Sequence, residues 1–316
     1  MAPTVTFVLP NYNGRALLER YLPSVLAAAG DARVLVVDDA STDDSVAFLR
    51  DAFPAVDVLP LERNVGFARA ANAGVAAAEN DVVALLNTDV QPEKGFLTPL
   101  VEALEDPQVF ATVPRLRRPL QGNVAESAVA GEFARGLFRL QFLGDAPFAV
   151  HREPFPTLYP VGATAIMRRQ VFLELGGFDP LFRPYYWEDA DLGYRAWKAG
   201  YRVLCVPESI ADHFAGTISA TQPSARVVLA QDANRFLFTW KNLHNPAWTR
   251  AHWLSLGPHC VVSLCTGRAG FVRGLAAALS RLPEALRARR KARRQAVLAD
   301  REVLRRAQPD ATPSDA

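Results

Sequence analysis

The feature that most constrains the fold is a regular alternation of short apolar runs and amphipathic runs over residues 4–90. The strand-like runs are TVTFVLP, RVLVVDD, VDVLPL and DVVALLN, and the helix-like runs between them are ALLERYLPSVLAAA, DSVAFLRDAF and GFARAANAGVAAA. Such alternation is typical of βαβ units, which build a mainly parallel sheet with helices on both faces. We therefore predict an α/β, Rossmann-like core.

Acidic residues follow two of these predicted strands. Asp38 and Asp39 come after the run VLVV, and Asp89 closes the sequence VVALLNTD. Because ligands of such sheets bind at the carboxyl ends of the strands, we expect these carboxylates to converge in one crevice. A carboxylate there can accept hydrogen bonds from nucleotide groups or bind a hard divalent cation. The first strand ends in VLPNYNG, with Gly14 alone, so a glycine-rich NAD fingerprint is missing.

The charge is unevenly distributed along the chain. Of 316 residues with a net charge of +2, residues 281–306 hold ten basic and three acidic side chains, or +7, which leaves −5 elsewhere. A mildly acidic body argues against nucleic acid as the main substrate. Half of the residues are hydrophobic, which suits one large domain with an appendage, or two domains.

The expected location is the cytoplasm. The sequence MAPTVTFVLP begins without a basic region or a long apolar segment, so no signal peptide is apparent. The three cysteines suit reduced thiols better than a disulfide framework. His259, Cys260 and Cys265 fit no usual zinc spacing, and we interpret them as packing residues.

Two later regions are less regular. Residues 115–158 interrupt the alternation, and we predict a substrate-side loop region there with a helix or two. Farther on, Phe271, Leu275, Leu279, Leu282 and Leu286 recur at helical spacing, and a basic run follows them. This amphipathic helix could lie on an anionic membrane surface or pack on the body with a solvated basic end. It is interrupted by charges and does not predict a transmembrane span.

A third group of acids opens a predicted helix. The sequence YYWEDADLGYRAWKAGYRV places Glu188, Asp189 and Asp191 behind three aromatic residues. Acids at a helix start complement the macrodipole, and three acids directly after three aromatic residues are more than that structural role requires.

Together these motifs resemble the family 2 glycosyltransferases, especially their rhamnosyltransferase-like branch, over roughly residues 4–240. The resemblance implies a GT-A fold for residues 1–240, with a nucleotide-binding half at about 1–114 and an acceptor half at about 115–240. Residues 241–316 would form a helical, basic extension with a disordered end.

The resemblance also implies roles for individual residues. The donor nucleotide would be bound by Pro10, Asn11, Tyr12, Asp38, Asp39, Asn64, Gly66, Phe67, Asn72, Asn87 and Thr88. The family's Asp-x-Asp metal motif appears here as Asn87-Thr88-Asp89, so Asp89 becomes the expected ligand of Mg²⁺ or Mn²⁺. His213 would be a second metal ligand or bind phosphate, with Ser219 in the same loop. Ala73 stands where the family often has a second Asn, which leaves that contact open.

On the acceptor side, the resemblance makes Asp189 the general base and Glu188 its neighbour that orients it or touches acceptor hydroxyls. Gly162, Ala163, Trp187 and Asp191 would line the acceptor site. The expected function is inverting transfer of a sugar from a UDP-, dTDP- or GDP-linked donor to a glycan or lipid-linked acceptor in cell-envelope polysaccharide synthesis. This reaction would occur at the inner face of the cell membrane. A nucleotidyltransferase and a non-catalytic sugar-nucleotide-binding protein remain as alternatives.

Overall fold

The structure is a computed structural model that describes residues 4–214, 224–267 and 269–309. The predicted loop residue Ser219 lies outside these ranges. The strands are β1 (Val5–Asn11), β2 (Arg33–Asp38), β3 (Asp57–Pro60), β4 (Val82–Leu86), β5 (Val90–Pro92), β6 (Val109–Arg118), β7 (Val124–Ala125), β8 (Val129–Ala134), β9 (Leu137–Phe142), β10 (Phe155–Pro156), β11 (Thr164–Arg168) and β12 (Arg202–His213). The helices are α1 (Arg15–Ala29), α2 (Ser45–Ala52), α3 (Phe67–Ala77), α4 (Leu97–Glu102), α5 (Ala146–Val150), α6 (Arg169–Leu175), α7 (Glu188–Lys198), α8 (Ser224–Asn242), α9 (Pro246–Cys265), α10 (Gly270–Leu279), α11 (Leu282–Gln295) and α12 (Asp300–Arg306).

One mixed sheet forms the centre of the described chain, in the order β10-β12-β6-β11-β4-β1-β2-β3. Strands β4, β1, β2 and β3 run parallel, as the alternation predicted, and β11 enters antiparallel between β4 and β6. Because β11 comes from the second half of the chain, both predicted halves share the same sheet. The α/β fold class is confirmed.

The sheet buries apolar side chains on both faces. On one face Val8, Val37 and Leu85 lie in a core with α3, and on the other Phe7 and Val36 pack with α1. Alternation of neighbouring residues between the two faces is the geometry of a strand. Gly74 of α3 permits the close approach, since a Cβ there would lie 2.4 Å from Val8 Cγ1.

The prediction of an irregular region over residues 115–158 was wrong in its main part. Strands β8 and β9 form an antiparallel hairpin through the two-residue turn Arg135–Gly136. The helix or two predicted here correspond to the short α5 and a single 3-10 turn at Pro119–Gln121. Both residues of the hairpin turn have positive φ, 52° and 78°, which the twist of a tight hairpin requires. Arginine is an unusual residue in the first position, so the turn left little signal in the sequence.

The C-terminal helices pack against the body. The expected single amphipathic helix is broken at Ser280–Arg281 into α10 and α11, and Leu275, Ala278 and Ala285 are buried against the rest of the chain. The predicted boundary at residue 240 falls inside α8, and the division into domains stays a prediction. In the part of the chain that the structure describes, no helix is long and apolar enough to cross a membrane.

Candidate functional site

The ends of β1 and β2 place side by side two residues that were predicted to bind the donor nucleotide. Asn11 and Asp38 are register partners, and Nδ2 of Asn11 donates to Oδ1 of Asp38 at 2.9 Å. Ser41 donates to the same carboxylate from its hydroxyl at 2.6 Å and from its backbone at 2.9 Å. Asp38 is therefore buried and well bonded, whereas the buried Oδ1 of Asn11 has no partner. Buried polar atoms normally have a hydrogen-bond partner. A bound ligand with an N–H or O–H group could supply the partner that this oxygen lacks.

Asp39 connects the same strand end to α3. Its two carboxylate oxygens accept hydrogen bonds from the backbone N–H groups of Val65 at 2.7 Å and Gly66 at 2.8 Å. Burial raises the pKa of Asp39, although these two bonds act in the opposite direction. Gly66 has a φ of 82° and directly precedes α3, so Asp39 satisfies backbone donors at the start of that helix.

The other predicted donor residues occupy different environments. Tyr12 and Asn64 are exposed, and Pro10, Phe67 and Thr88 are half-buried. Asn72 exchanges two hydrogen bonds with the backbone of Phe178, 2.8 Å from Nδ2 and 2.9 Å to Oδ1. The side chain of Asn72 thus ties α3 to the turn before α7, and its predicted contact with the nucleotide has no support in this geometry.

Asp89 and His213 lie together at the edge of the crevice. His213 is the register partner of Val90, and its Nε2 is 3.4 Å from Oδ1 of Asp89. Its Nδ1 lies 2.5 Å from Oε1 of Glu126. Burial on its own lowers the pKa of His213, but the bonds to both carboxylates outweigh burial and raise the pKa to about 9.

The residues at this edge fit a divalent cation as two of its ligands. Two ligands held at about 2.1 Å from one ion lie about 3 Å apart, close to the separation of Asp89 and His213. A carboxylate on the far nitrogen of a ligating histidine, as Glu126 provides, is the usual support for such a ligand. Within the described ranges no group of three or more His, Cys, Asp or Glu side chains forms a metal site, so phosphate and water oxygens would complete the coordination.

The segment before β11 connects the predicted base to the predicted metal strand. The backbone N–H of Gly162 donates to Oδ2 of Asp189 at 3.1 Å, and the carbonyl of Ala163 accepts from the N–H of Asn87 at 2.8 Å. The second oxygen of Asp189 accepts from the N–H of Ala190 at 2.8 Å. Burial raises the pKa of Asp189 to about 6, and the bonds from Gly162 and Ala190 limit the rise.

Glu188 lies beside Asp189 and close to the backbone of Tyr186. Its side chain is buried, and its Oε2 has no hydrogen-bond partner. Burial and then the charge of Asp189 raise the pKa of Glu188 to about 8. At neutral pH the pair therefore consists of a protonated Glu188 and a largely ionised Asp189.

The prediction that Asp191 contacts the acceptor was wrong. Its side chain is completely buried and accepts hydrogen bonds from Arg195 at 2.8 Å, Lys241 at 2.8 Å and Asn242 at 2.8 Å. Asp191 therefore joins α7 to α8. Trp187 is half-buried, with its ring centroid 5.2 Å from that of Phe238 on α8, so part of the ring serves packing.

Two residues that the sequence analysis missed hold the loop before α7. Nδ2 of Asn234, on α8, donates to the carbonyls of Phe182 at 2.8 Å, Tyr185 at 3.0 Å and Tyr186 at 3.0 Å. Arg281 donates to the carbonyls of Leu181 and Arg183 in the same loop. Neither residue belongs to a recognisable motif, and Glu126 was overlooked because it lies in the region predicted as loop.

Comparison with known proteins identifies a family and relatives of this chain. The family "Glycosyl transferase family 2" matches residues 6–176, a span that includes the ends of β1, β2 and β4. A pre-mycofactocin glycosyltransferase of Mycobacterium tuberculosis is 33% identical over 66% of this chain. The chain spans only 42% of the length of that relative.

Two further proteins share most of the chain. An N-acetylglucosaminyl-diphospho-decaprenol L-rhamnosyltransferase of Mycobacterium tuberculosis is 30% identical over 75% of this chain and 84% of its own length. The crystal structure of GalNAc-T7 with UDP, GalNAc and Mn²⁺ superposes with a TM-score of 0.66 at 18% identity, over 92% of this chain and 55% of that one. The second likeness shows the fold alone.

Proposed function

The chain belongs to glycosyl transferase family 2, and from this premise we propose that it transfers a sugar from a nucleotide-diphosphate donor to a glycan or lipid-linked acceptor. The observation that carries the proposal is the link from Asp189 through Gly162 and Ala163 to Asn87. This link brings a candidate base within one short backbone segment of the strand end that carries Asp89. A transferase needs both, because acceptor activation and departure of the diphosphate occur at the same carbon.

In the proposed reaction Asp189 removes the proton from an acceptor hydroxyl. The hydroxyl oxygen forms a bond to the anomeric carbon, and the bond from that carbon to the diphosphate breaks on the opposite face, which inverts the configuration. The electron pair leaves with the nucleoside diphosphate. The pKa of Asp189, about 6, suits this role because a base works best when its pKa is near the working pH.

Glu188 supplies a hydrogen-bond donor next to the base. Because its pKa is about 8, its carboxyl group is protonated at neutral pH. A protonated carboxyl group can donate a hydrogen bond to a sugar hydroxyl. An ionised Glu188 would instead repel the negative charge of Asp189. The unpartnered Oε2 supports this role, since an acceptor hydroxyl would satisfy it.

We assign the cation to Asp89 and His213, with Mn²⁺ or Mg²⁺ as the candidates. The relation of Asp89 to Nε2 of His213 supports this assignment, as does the Mn²⁺ that accompanies UDP in the GalNAc-T7 crystal structure. A bound divalent cation would neutralise charge on the departing diphosphate. Glu126 holds the imidazole from its other side.

The donor nucleotide would lie along β1, β2 and the start of α3. Oδ1 of Asn11 is available to a base or ribose donor, and the exposed ring of Tyr12 can stack on a base. Asp38 and Asp39 support this surface through Asn11 and Gly66. The acceptor would be an envelope glycan or a lipid-linked sugar, and the reaction would take place at the inner face of the membrane. The name of the rhamnosyltransferase relative, which contains a sugar on diphospho-decaprenol, supports the lipid-linked alternative.

The test is stabilisation of the protein by UDP, dTDP or GDP sugars, with Mn²⁺, Mg²⁺ or a chelator, together with release of nucleoside diphosphate. We expect one nucleotide to raise the melting temperature only with metal, since a ligand specific for the folded state stabilises it. Asp89→Ala should abolish the shift, and Asp81→Ala, at the exposed opposite end of β4, should keep it. Release of pyrophosphate from a nucleoside triphosphate when a sugar phosphate is the second substrate would instead identify a nucleotidyltransferase and overturn the proposal.

A further inference from the structure

Helix α9 presents an apolar surface that no part of the described chain covers. Over 20 residues it contains one Lys, Arg, Asp or Glu, Arg250, and at 1.5 Å per residue it is about 30 Å long. Five large apolar side chains of α9 are substantially exposed: Trp253 43%, Leu254 72%, Val261 61%, Val262 59% and Leu264 62%. Isolated exposed apolar residues are normal, but a contiguous row indicates an interaction site.

The exposed side of α9 is distinct from the side that holds it to the body. His252 accepts from Trp240 Nε1 at 2.9 Å, Trp248 stacks on Phe133 with ring centroids 4.8 Å apart, and Leu256 is buried. These residues recur at steps of four along one side. Leu254, Val261 and Leu264 recur at steps of three and seven on another side, which is the spacing of one helix face. The apolar row therefore exists in addition to the residues that fix α9.

A basic row borders the apolar row. Trp253 lines a small cavity with Leu286 and Arg289 of α11, and Leu286 is 43% exposed. Arg290, Arg293 and Arg294 lie four, seven and eight residues beyond Leu286, and all three are exposed. They therefore continue from Leu286 along one face of α11.

Acidic residues are nearly absent from this part of the sequence. From residue 246 to residue 299 the sequence contains ten basic residues and one acid, Glu284. That acid pairs with Arg183 at 3.0 Å. The segment from α9 to α11 thus combines exposed apolar side chains, a tryptophan and an excess of positive charge.

We propose that α9 lies flat in the interface of an anionic lipid bilayer, with Leu254, Val261 and Leu264 in the acyl boundary and the basic row of α11 on the headgroups. An amphipathic surface of this kind binds through buried apolar area and attraction to anionic lipid. Each basic residue near such a surface contributes about 1 kcal/mol. Tryptophan is enriched at this depth because its ring is apolar with one polar edge.

Membrane binding is thereby assigned to a different element from the one that the sequence favoured. The sequence indicated the row Phe271, Leu275, Leu279, Leu282 and Leu286. Leu275 is buried in the protein, Phe271 and Leu282 are half-buried, and only Leu279 and Leu286 of this row are exposed. The lipid-facing residues come from α9 instead, and α11 contributes charge. The proposal rests on the proposed function only in that a lipid-linked acceptor would lie in the same bilayer.

The test is sedimentation of the full chain with vesicles of phosphatidylcholine alone or with 30% phosphatidylglycerol, a composition of about one anionic lipid in three. We expect binding to the anionic vesicles and at least about tenfold weaker binding of Leu254→Asp/Val261→Asp, which places two charges in the apolar row. The matched control is Leu120→Asp/Phe142→Asp, since these residues are 73% and 64% exposed on other elements. It adds the same charge and should bind as the unaltered protein does.

Two other outcomes would overturn the proposal. If the unaltered protein is a dimer without lipid and Leu254→Asp/Val261→Asp is a monomer, the apolar row is an interface between two copies. If the unaltered protein is monomeric and binds neither vesicle, the row has a different partner. Melting temperatures of the variant and its control that are equal to each other show that both are folded. The vesicle assay requires no sugar nucleotide and no acceptor. Failure of sugar transfer and failure of lipid binding are therefore separate results.

Discussion

The backbone N–H of Gly162 donates to the carboxylate of Asp189 at 3.1 Å, and this bond fixes the direction of the candidate base. The next residue, Ala163, bonds to Asn87 at the end of β4. A short peptide segment therefore links the candidate base to the end of β4. Catalytic groups held by backbone bonds keep their geometry better than groups on long free side chains.

Removal of the titratable carboxyl group of Glu188 should change how stability depends on pH. The pKa of Glu188 is about 8 in the folded protein and near 4.5 when the chain is unfolded, so between these values the folded state binds more protons. The free energy of unfolding must then fall as pH rises through this range. We expect Glu188→Gln to fall less between pH 6 and pH 8 than the unaltered protein, as measured by urea unfolding. An equal or steeper fall would contradict a protonated Glu188.

Replacement of Gly193 in α7 should lower the stability of the protein. A Cβ at this position would lie 2.4 Å from Cα of Tyr159 and 2.7 Å from the carbonyl oxygen of Leu158, both of them backbone atoms. We expect Gly193→Ala to lower the free energy of unfolding by about 1–3 kcal/mol in guanidinium unfolding, as overpacking does.

Gly257→Ala is the control for that substitution. Gly257 also lies inside a helix, α9, but a Cβ there would meet no atom within 4 Å. Alanine favours a helix over glycine by about 1 kcal/mol, but its Cβ would crowd the ring of Pro258, the next residue of the helix. Because the two effects oppose each other, this variant should stay within about 1 kcal/mol of the unaltered protein. Equal losses in the two variants would show that contact with Tyr159 is not the cause.

Asn234 should influence transfer through the loop that precedes the base. Its amide holds three carbonyls between Phe182 and Tyr186, and Asn234→Ala leaves them without this donor. We expect a loss of about 1–3 kcal/mol in stability and about tenfold in kcat, since small displacements of reacting groups have large effects on rate.

The comparison variant is Asn245→Ala, which removes the side-chain cap of α9. It should cost about 1 kcal/mol in stability and leave kcat within about twofold, because the cap is on a different helix from the loop. If both variants lose kcat in proportion to stability, Asn234 is structural and does not position the base.

The sequence predicted the parts of the fold that depend on local pattern. Apolar alternation indicated β1 to β4 and the helices between them. The strands that lead to Asp38 and Asp89, β2 and β4, lie on either side of β1 in the sheet. The hairpin of β8 and β9 could not be predicted, because its turn uses Arg135 at positive φ. The roles of Asn234, Glu126 and Asp300 also escaped, because each bonds to residues far away in the chain. Asp300 is an example: it is buried and accepts from Tyr194 at 2.9 Å and Lys198 at 2.7 Å.

The acidic motif shows the same limit within one short segment. Spacing placed Glu188, Asp189 and Asp191 at one helix start, but it could not distinguish them. Asp191 is completely buried among Arg195, Lys241 and Asn242, whereas within the described ranges the donors to Asp189 are the backbone N–H groups of Gly162 and Ala190. The tertiary partners, which come from α8 and the segment before β11, decide which acid is structural.

The most direct test of the proposed mechanism is the rate of sugar transfer by the Asp189→Asn variant. The sugar nucleotide used would be the one identified by thermal stabilisation. Asparagine keeps the size of the side chain and an oxygen acceptor but cannot take a proton, so we expect the transfer rate to fall about 10²- to 10⁴-fold. The affinity for the donor should stay within about threefold, because the base acts on the acceptor in the transition state and does not bind the donor. An unchanged transfer rate with intact donor binding would contradict the assignment of Asp189 and the mechanism built on it.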